Sequence, residues 1–150
     1  SWRQSWHFLP AWARGLSTFA NATISRASGP NAADFTPFAR KNINWGLSYN
    51  RRAFSFKFNV AYAYRVSGAL NAASATIPAG TRTYVAPQIT QDWSFEYRIS
   101  PRFTAYGGAR NWNGANKRTE RFGNGAQPWT RPQVFQNFGT LVTVGLRSQF

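Results

Sequence analysis

From Gln136 to Phe150 the chain alternates. Phe138, Thr140, Val142, Val144, Leu146 and Phe150 are apolar or β-branched, while Gly139, Thr143, Gly145, Arg147 and Gln149 stand between them. Successive side chains of a strand point to opposite faces, so the segment predicts a strand with one greasy face and one small or polar face. Ser148 interrupts the greasy series. Chain termini are commonly polar and frayed, which sets apart a hydrophobic pattern carried through to Phe150. Alternation alone also suits an inner strand of a β-sandwich.

The same period recurs upstream. Ile43, Trp45, Leu47 and Tyr49 alternate with Asn42, Asn44, Gly46 and Ser48, and Phe54, Phe56, Phe58, Val60, Tyr62 and Tyr64 alternate with Ser55, Lys57, Asn59, Ala61, Ala63 and Arg65. With Asn50-Arg51-Arg52-Ala53 as the connection, this is a hairpin. Setting Tyr49 opposite Phe54 brings Trp45 to Phe58 on one face and Asn44 to Asn59 on the other. From Tyr84 to Ile99, Trp93, Phe95, Tyr97 and Ile99 share a side opposed to Thr90, Asp92, Ser94, Glu96 and Arg98. A tight turn at Ser100-Pro101-Arg102 then predicts Ile99 opposite Phe103, Phe95 opposite Gly107 and Asp92 opposite Arg110, the last an ion pair on the polar face. Leu16 to Arg26 reads as a further strand whose apolar side is undecided, because Phe19 lies on one face and Leu16 and Ile24 on the other. Ser1 to Arg14 carries Trp2, Trp6, Phe8 and Trp12 around Pro10, which predicts a turn at Leu9 to Ala11; what precedes the turn reads as the tail of an earlier strand.

Connections between these strands alternate in length. Counted back from Phe150 they run long (residues 112–132), tight, long (66–82), tight, moderate (27–38), tight. A β-barrel that crosses a membrane has long loops on one side and short turns on the other, with apolar side chains toward lipid and polar ones inward. A sandwich does not require loop length to sort by end. The fold class expected is therefore all-β, an antiparallel up-and-down meander of about six or seven strands forming part of a transmembrane β-barrel. The connections around residues 27 to 38, 67 to 83 and 113 to 134 are expected at its outer end.

Charge limits the partners. Eighteen basic residues face only Asp34, Asp92, Glu96 and Glu120, for a formal net charge of +14. Such an excess points to polyanions, but the cations are scattered at strand ends and turns (Arg51, Arg52, Arg98, Arg102, Lys117, Arg118, Arg121), which fits a membrane rim better than a nucleic-acid stripe. No run of about eighteen apolar residues exists to form a transmembrane helix, so any crossing is made by strands. Cysteine and methionine are absent, which removes thiol chemistry and disulfides.

Candidate sites are few. Asp92 and Glu96 lie two strand steps apart on one face and could perform acid and base work; basic neighbours Lys57, Arg98 and Arg110 favour an ion network instead. His7 is the single histidine and lacks companion ligands, so neither a metal nor another cofactor is expected. Gly107-Gly108 lacks the surroundings of a phosphate loop. The chain is not expected to be an enzyme. Lys117, Arg118 and Arg121 are candidate contacts for an anionic ligand or for lipopolysaccharide phosphates.

Two stretches carry a family resemblance. Phe38-Ala39-Arg40-Lys41-Asn42-Ile43-Asn44-Trp45-Gly46-Leu47-Ser48-Tyr49 resembles a hairpin entry in the C-terminal barrel of TonB-dependent receptors, and Arg98-Ile99-Ser100-Pro101-Arg102-Phe103 with Ala109-Arg110-Asn111-Trp112-Asn113 resembles a segment near that barrel's end, where an Arg-Asn pair opens the last outer loop. Trp112 departs from the family pattern, in which an aliphatic residue is usual. The closing strand is similar too. In that family the terminal Phe and the alternate apolar positions, here Phe150, Leu146, Val144 and Val142, are read by the barrel-assembly machinery. The resemblance implies active uptake of a scarce ligand (a siderophore, cobalamin, an oligosaccharide or similar) across the outer membrane of a Gram-negative bacterium. It further implies that residues 1–150 are the C-terminal part of a larger barrel, whose other strands and plug, and TonB acting through that plug, lie outside the sequence. Two alternatives are a small self-contained outer-membrane barrel with a structural or adhesion role, and a soluble basic β-protein that binds single-stranded nucleic acid. Nucleic acid is disfavoured as a partner because the best apolar faces carry no basic residue.

Overall fold

A computed structural model describes residues 1–11, 13–26, 28–29, 38–123, 128 and 131–149. Phe150, Trp12, Asp34 and most of the connection assigned to residues 27–38 lie outside the described residues. Twelve strands follow in order: β1 (Trp2–Ser5), β2 (Leu16–Ile24), β3 (Phe38–Ala39), β4 (Lys41–Arg51), β5 (Phe54–Ala63), β6 (Val66–Leu70), β7 (Arg82–Val85), β8 (Gln88–Arg98), β9 (Phe103–Arg110), β10 (Lys117–Phe122), β11 (Pro132–Gln136) and β12 (Leu141–Ser148). Among the described residues no helix is long and apolar enough to cross a membrane.

The strands form two sheets. The main sheet has the order β1-β2-β4-β5-β8-β9-β12, and every neighbouring pair is antiparallel. It is an all-β meander, as the alternation predicts. Seven strands of alternating direction leave β1 and β12, the two ends of the sheet, running the same way. The second sheet, β11-β10-β7-β6-β3, is built from segments that the sequence suggested were loops. Residues 66–82 contain β6 and meet β7, and residues 112–132 contain β10 and lead into β11. Each of its strands prolongs a main-sheet strand after a short break: β3 runs into β4, β5 into β6, β7 into β8, β9 into β10 and β11 into β12. The long connections are thus a continuation of the main sheet at one end. At the other end, Arg52 and Ala53 alone join β4 to β5, and Ile99–Arg102 join β8 to β9.

The β4–β5 register differs from the one expected. Tyr49 pairs with Phe56, Trp45 with Val60 and Asn44 with Ala61, two residues beyond the proposed partners. The cause is the turn. Arg51 pairs with Phe54, so the connection has two residues rather than four, and Arg52 takes φ 50° to close it. A shift by two preserves the faces, and Trp45 still meets Phe58 diagonally, with ring centroids 5.9 Å apart. The β8–β9 hairpin has the expected register, with Phe95 opposite Gly107 and the Ile99 N–H bonded to the Phe103 carbonyl at 2.9 Å.

Register also settles the strand whose faces were undecided. Leu16, Thr18, Ala20, Ala22 and Ile24 stand opposite Tyr49, Leu47, Trp45, Ile43 and Lys41, so Phe19 belongs to the polar face. It finds cover there on Gly46, where an added Cβ would lie 2.6 Å from the Phe19 ring and 2.6 Å from the Phe58 carbonyl oxygen. Glycine at that position lets the ring lie flat on the backbone.

Candidate functional site

Following one ladder across the main sheet gives Tyr49, Phe56, Phe95, Gly107 and Val144 on one face; the neighbouring ladder gives Ser48, Lys57, Ser94, Gly108 and Thr143 on the other. The first face also carries Ile43, Trp45, Phe54, Phe58, Trp93, Tyr97, Phe103, Val142 and Leu146. In water such a face is buried against a second layer. Among the described residues every extensive contact between strands is between hydrogen-bonded neighbours in a sheet, and large apolar side chains stand open: Trp45 is 48% exposed, Tyr97 49%, Leu146 69% and Val144 79%. Among the described residues, the buried hydrophobic side chains are Ala13, Val60, Ala86 and Ala109. The accessible surface is 10876 Å² for 16.9 kDa, against ~7,700 Å² for a water-soluble monomer of that mass.

Dimensions agree with a bilayer crossing. β2, β4, β5, β8, β9 and β12 have between eight and eleven residues, close to the 9–11 of a tilted transmembrane strand. Ten residues rise ~33 Å along the strand, which at a tilt of about 45° spans ~23 Å, close to the height of a barrel's apolar band. Aromatic pairs mark both ends of the β4–β5 hairpin, Tyr49 with Phe54 at 6.2 Å and Tyr62 with Tyr64 at 6.5 Å between ring centroids. Of the closing-strand residues, Val142, Val144 and Leu146 lie on the apolar face opposite Ala109, Gly107 and Ala105.

The polar face bears Asn44, Lys57, Asn59, Asp92, Glu96, Tyr106, Arg110 and Arg147. Ser17 and Ser48 share a hydrogen bond of 2.7 Å across β2 and β4, and the Arg147 guanidinium lies 5.5 Å from the centre of the Tyr106 ring. Asp92 does more than the sequence suggested. Beyond Trp93–Ala109 the β8–β9 ladder ends, and one Asp92 carboxylate oxygen accepts the Asn111 backbone N–H at 2.8 Å. Arg110, the expected partner of Asp92, is exposed and pairs with Leu141 across β12. At the short-turn end, Asn50, Arg51, Arg52, Ser55, Glu96, Arg98 and Thr104 line an open depression of about 370 Å³.

Asn111 is the pin between the two sheets. Its φ of 53° is left-handed, which asparagine tolerates better than most residues. Its side-chain amide donates to the Gly139 carbonyl at 2.8 Å and to the Ala115 carbonyl at 3.2 Å, and its side-chain oxygen accepts the Ala115 N–H at 2.9 Å. Thr140 donates its hydroxyl to the Asn111 carbonyl at 2.9 Å. Asn113 ties the same bend to β8 through the Ile89 carbonyl and the Gln91 N–H. The break between β9 and β10 is therefore held by bonds within itself, to β8 and to the Gly139–Thr140 segment.

In the second sheet the predicted trio of cations is divided. Lys117, Arg118 and Arg121 lie on β10, so Lys117 and Arg121 face one side and Arg118 the other. A different group is assembled instead. The Arg65 guanidinium sits 4.6 Å from the centre of the Phe122 ring and 5.4 Å from that of Tyr84, the Arg131 guanidinium sits 5.4 Å from Phe122, and the two rings meet edge to face at 5.8 Å. Nothing local in the sequence links positions 65, 84, 122 and 131; strand pairing alone collects them. Among the described residues no group of three or more His, Cys, Asp or Glu side chains is placed to hold a metal ion. Comparison with protein-family models, with curated proteins and with solved structures finds no match to this chain.

Proposed function

We propose that residues 1–150 form part of the wall of a transmembrane β-barrel in the outer membrane of a Gram-negative bacterium, and that the barrel is a TonB-dependent receptor for uptake of a scarce ligand. The observation that carries the membrane half is the seven-stranded sheet whose aromatic and aliphatic face has, among the described residues, no protein layer over it. In this reading that face meets lipid, the polar face with Lys57, Asp92, Glu96 and Arg147 lines the lumen, and the second sheet stands in the outer aqueous space. The two-residue and four-residue turns lie on the periplasmic side. The remaining strands, the plug, TonB, the assembly machinery and lipopolysaccharide are the partners.

Strand parity supports a larger barrel over a small one closed by these strands alone. β1 and β12 point the same way, so joining them would make one parallel pair, whereas single-chain bacterial barrels use an even number of antiparallel strands. Open edges in lipid leave backbone groups unpaired at several kcal/mol each, and added strands remove that cost. The uptake half rests on the resemblance of the β4 entry and of the β8–β9 region. Two experiments test the halves separately. The chain should float with lipid vesicles, whereas a monodisperse soluble monomer in detergent-free buffer that retards single-stranded DNA would overturn the membrane assignment. The coding sequence upstream of Ser1 should encode several hundred residues including a plug; a signal peptide directly before Ser1 would replace the receptor with a small barrel.

A further inference from the structure

We propose that the second sheet carries a binding site for a ligand with carboxylate or phosphate groups, with Phe122 and Tyr84 as its wall and Arg65 and Arg131 as its two arms. It deepens the uptake reading by naming a ligand class, and rests on that reading only for the purpose the site serves.

Two guanidiniums share the Phe122 ring, so their centres are no farther apart than their two ring distances together, ~10 Å, about one Debye length in 0.1 M salt. At such a separation two exposed charges repel by less than about 1 kcal/mol, which a ring's attraction of about 0.5–2 kcal/mol per cation offsets, so one ring can hold both guanidiniums and an anion set between them would meet both. Glu120 lies on the same side, opposite Tyr84 and Pro132, yet among the described residues no ion pair joins it to either guanidinium. A ring engages the flat face of an arginine and none of its five N–H groups, whose forked edge matches carboxylate and phosphate oxygens. Among the described residues no acceptor takes the side-chain N–H groups of Arg65 or Arg131. Both arginines are exposed, while Tyr84 and Phe122 are half-buried, so a fixed wall holds reachable donors.

Position favours a dissolved anion over a lipid headgroup. Arg65 continues the polar series Asn59, Ala61 and Ala63 of β5, Tyr84 continues Thr90, Gln88 and Ala86 back from β8, and Phe122 stands opposite Arg82 on the Tyr84 side of β7. The continuations of β5 and β8, with β10 placed through its pairing to β7, put the cluster on the side of the polar face. A solute approaching the lumen meets it; a lipid beside the apolar face does not.

The test is calorimetric titration of the whole barrel that contains residues 1–150, in detergent micelles, with citrate and with inorganic pyrophosphate, and in parallel with lipopolysaccharide micelles. Citrate or pyrophosphate should bind, more weakly as salt rises, and Arg65→Gln and Arg131→Gln should each weaken binding about tenfold or more, the scale of one charge-assisted hydrogen bond. Lys117→Gln, which removes one charge from the other side of β10, should change it less than about twofold. Arg65→Lys retains the charge without the fork and should fall between, which also covers the case in which Arg65→Gln does not fold. Binding of lipopolysaccharide alone, lost in Arg65→Gln, supports the site and moves its anion onto a lipid. No binding of any probe, or equal losses in Arg65→Gln and Lys117→Gln, overturns the proposal. The titration reads binding in micelles, so its outcome is independent of whether the protein imports anything.

Discussion

Val144 separates lipid from water more sharply than any other position. It lies at the middle of β12, on the apolar face, opposite Gly107, and is 79% exposed. If that face met water, Val144→Arg would be a surface change on a strand, worth about 0.5 kcal/mol or less apart from β-propensity. If it meets the bilayer midplane, the same change costs about 2–4 kcal/mol, a factor of roughly 30 to 1,000 in the folding equilibrium. Thr143→Arg is the matched control, one residue away, also exposed and on the polar face; it should cost about 0.5 kcal/mol or less. Denaturant unfolding of both variants in lipid vesicles, followed by tryptophan fluorescence, reads the difference as a shift in midpoint at constant slope. Equal midpoints for the two arginine variants would refute the orientation of β12, and with it the assignment of faces across the ladder.

Other perturbations test the parts that position this sheet. Asn111→Ala should destabilise by about 2–3 kcal/mol, through lost side-chain bonds and a left-handed backbone, and speed amide exchange at Ala115; Asn111→Gly, which keeps the backbone, should lose less. Gly46→Ala should cost about 1–3 kcal/mol, because the new Cβ meets the Phe19 ring and the Phe58 carbonyl, and Phe19→Ala combined with it should recover only the ring's share. Arg52→Asn or Arg52→Gly should raise the midpoint of thermal unfolding, by relieving about 1 kcal/mol of strain at φ 50°; an unchanged or lower midpoint would show that the turn is not strained.

What was legible in the sequence follows from how strands encode faces. Period-two alternation in Ile43 to Tyr49, Phe54 to Tyr64 and Trp93 to Ile99 carried the sidedness correctly, because a face survives any even shift of register. The register itself was not legible at Arg51-Arg52, since nothing in an arginine announces a positive φ. At Ser100-Pro101-Arg102 a proline marked the turn and the register was right. The second sheet is not legible because β6, β7 and β10 are four to six residues long, too short for period-two alternation to stand out. They are strands because they extend strands already paired below them. For the same reason Lys117, Arg118 and Arg121 fall within a long connection in the sequence, whereas on β10 alternation divides them between two faces. The Asp92 contact was hidden for another cause: its partner is a backbone N–H, which no side-chain pattern reports, although the asparagine at 111 was the visible trace of the bend.

The central claim, that alternate side chains of the main sheet face lipid, is tested most directly by spin labels. The chain has no cysteine, so single cysteines at Phe56, Phe95 and Val144, and at Lys57, Ser94 and Thr143, each place one nitroxide without a background thiol. In lipid vesicles the first three labels should relax strongly with oxygen, which concentrates in the bilayer, and weakly with a water-soluble nickel chelate, while the second three should show the reverse preference. Labels at Phe56, Phe95 and Val144 that are shielded from both reagents, or reached best by the chelate, would contradict the account.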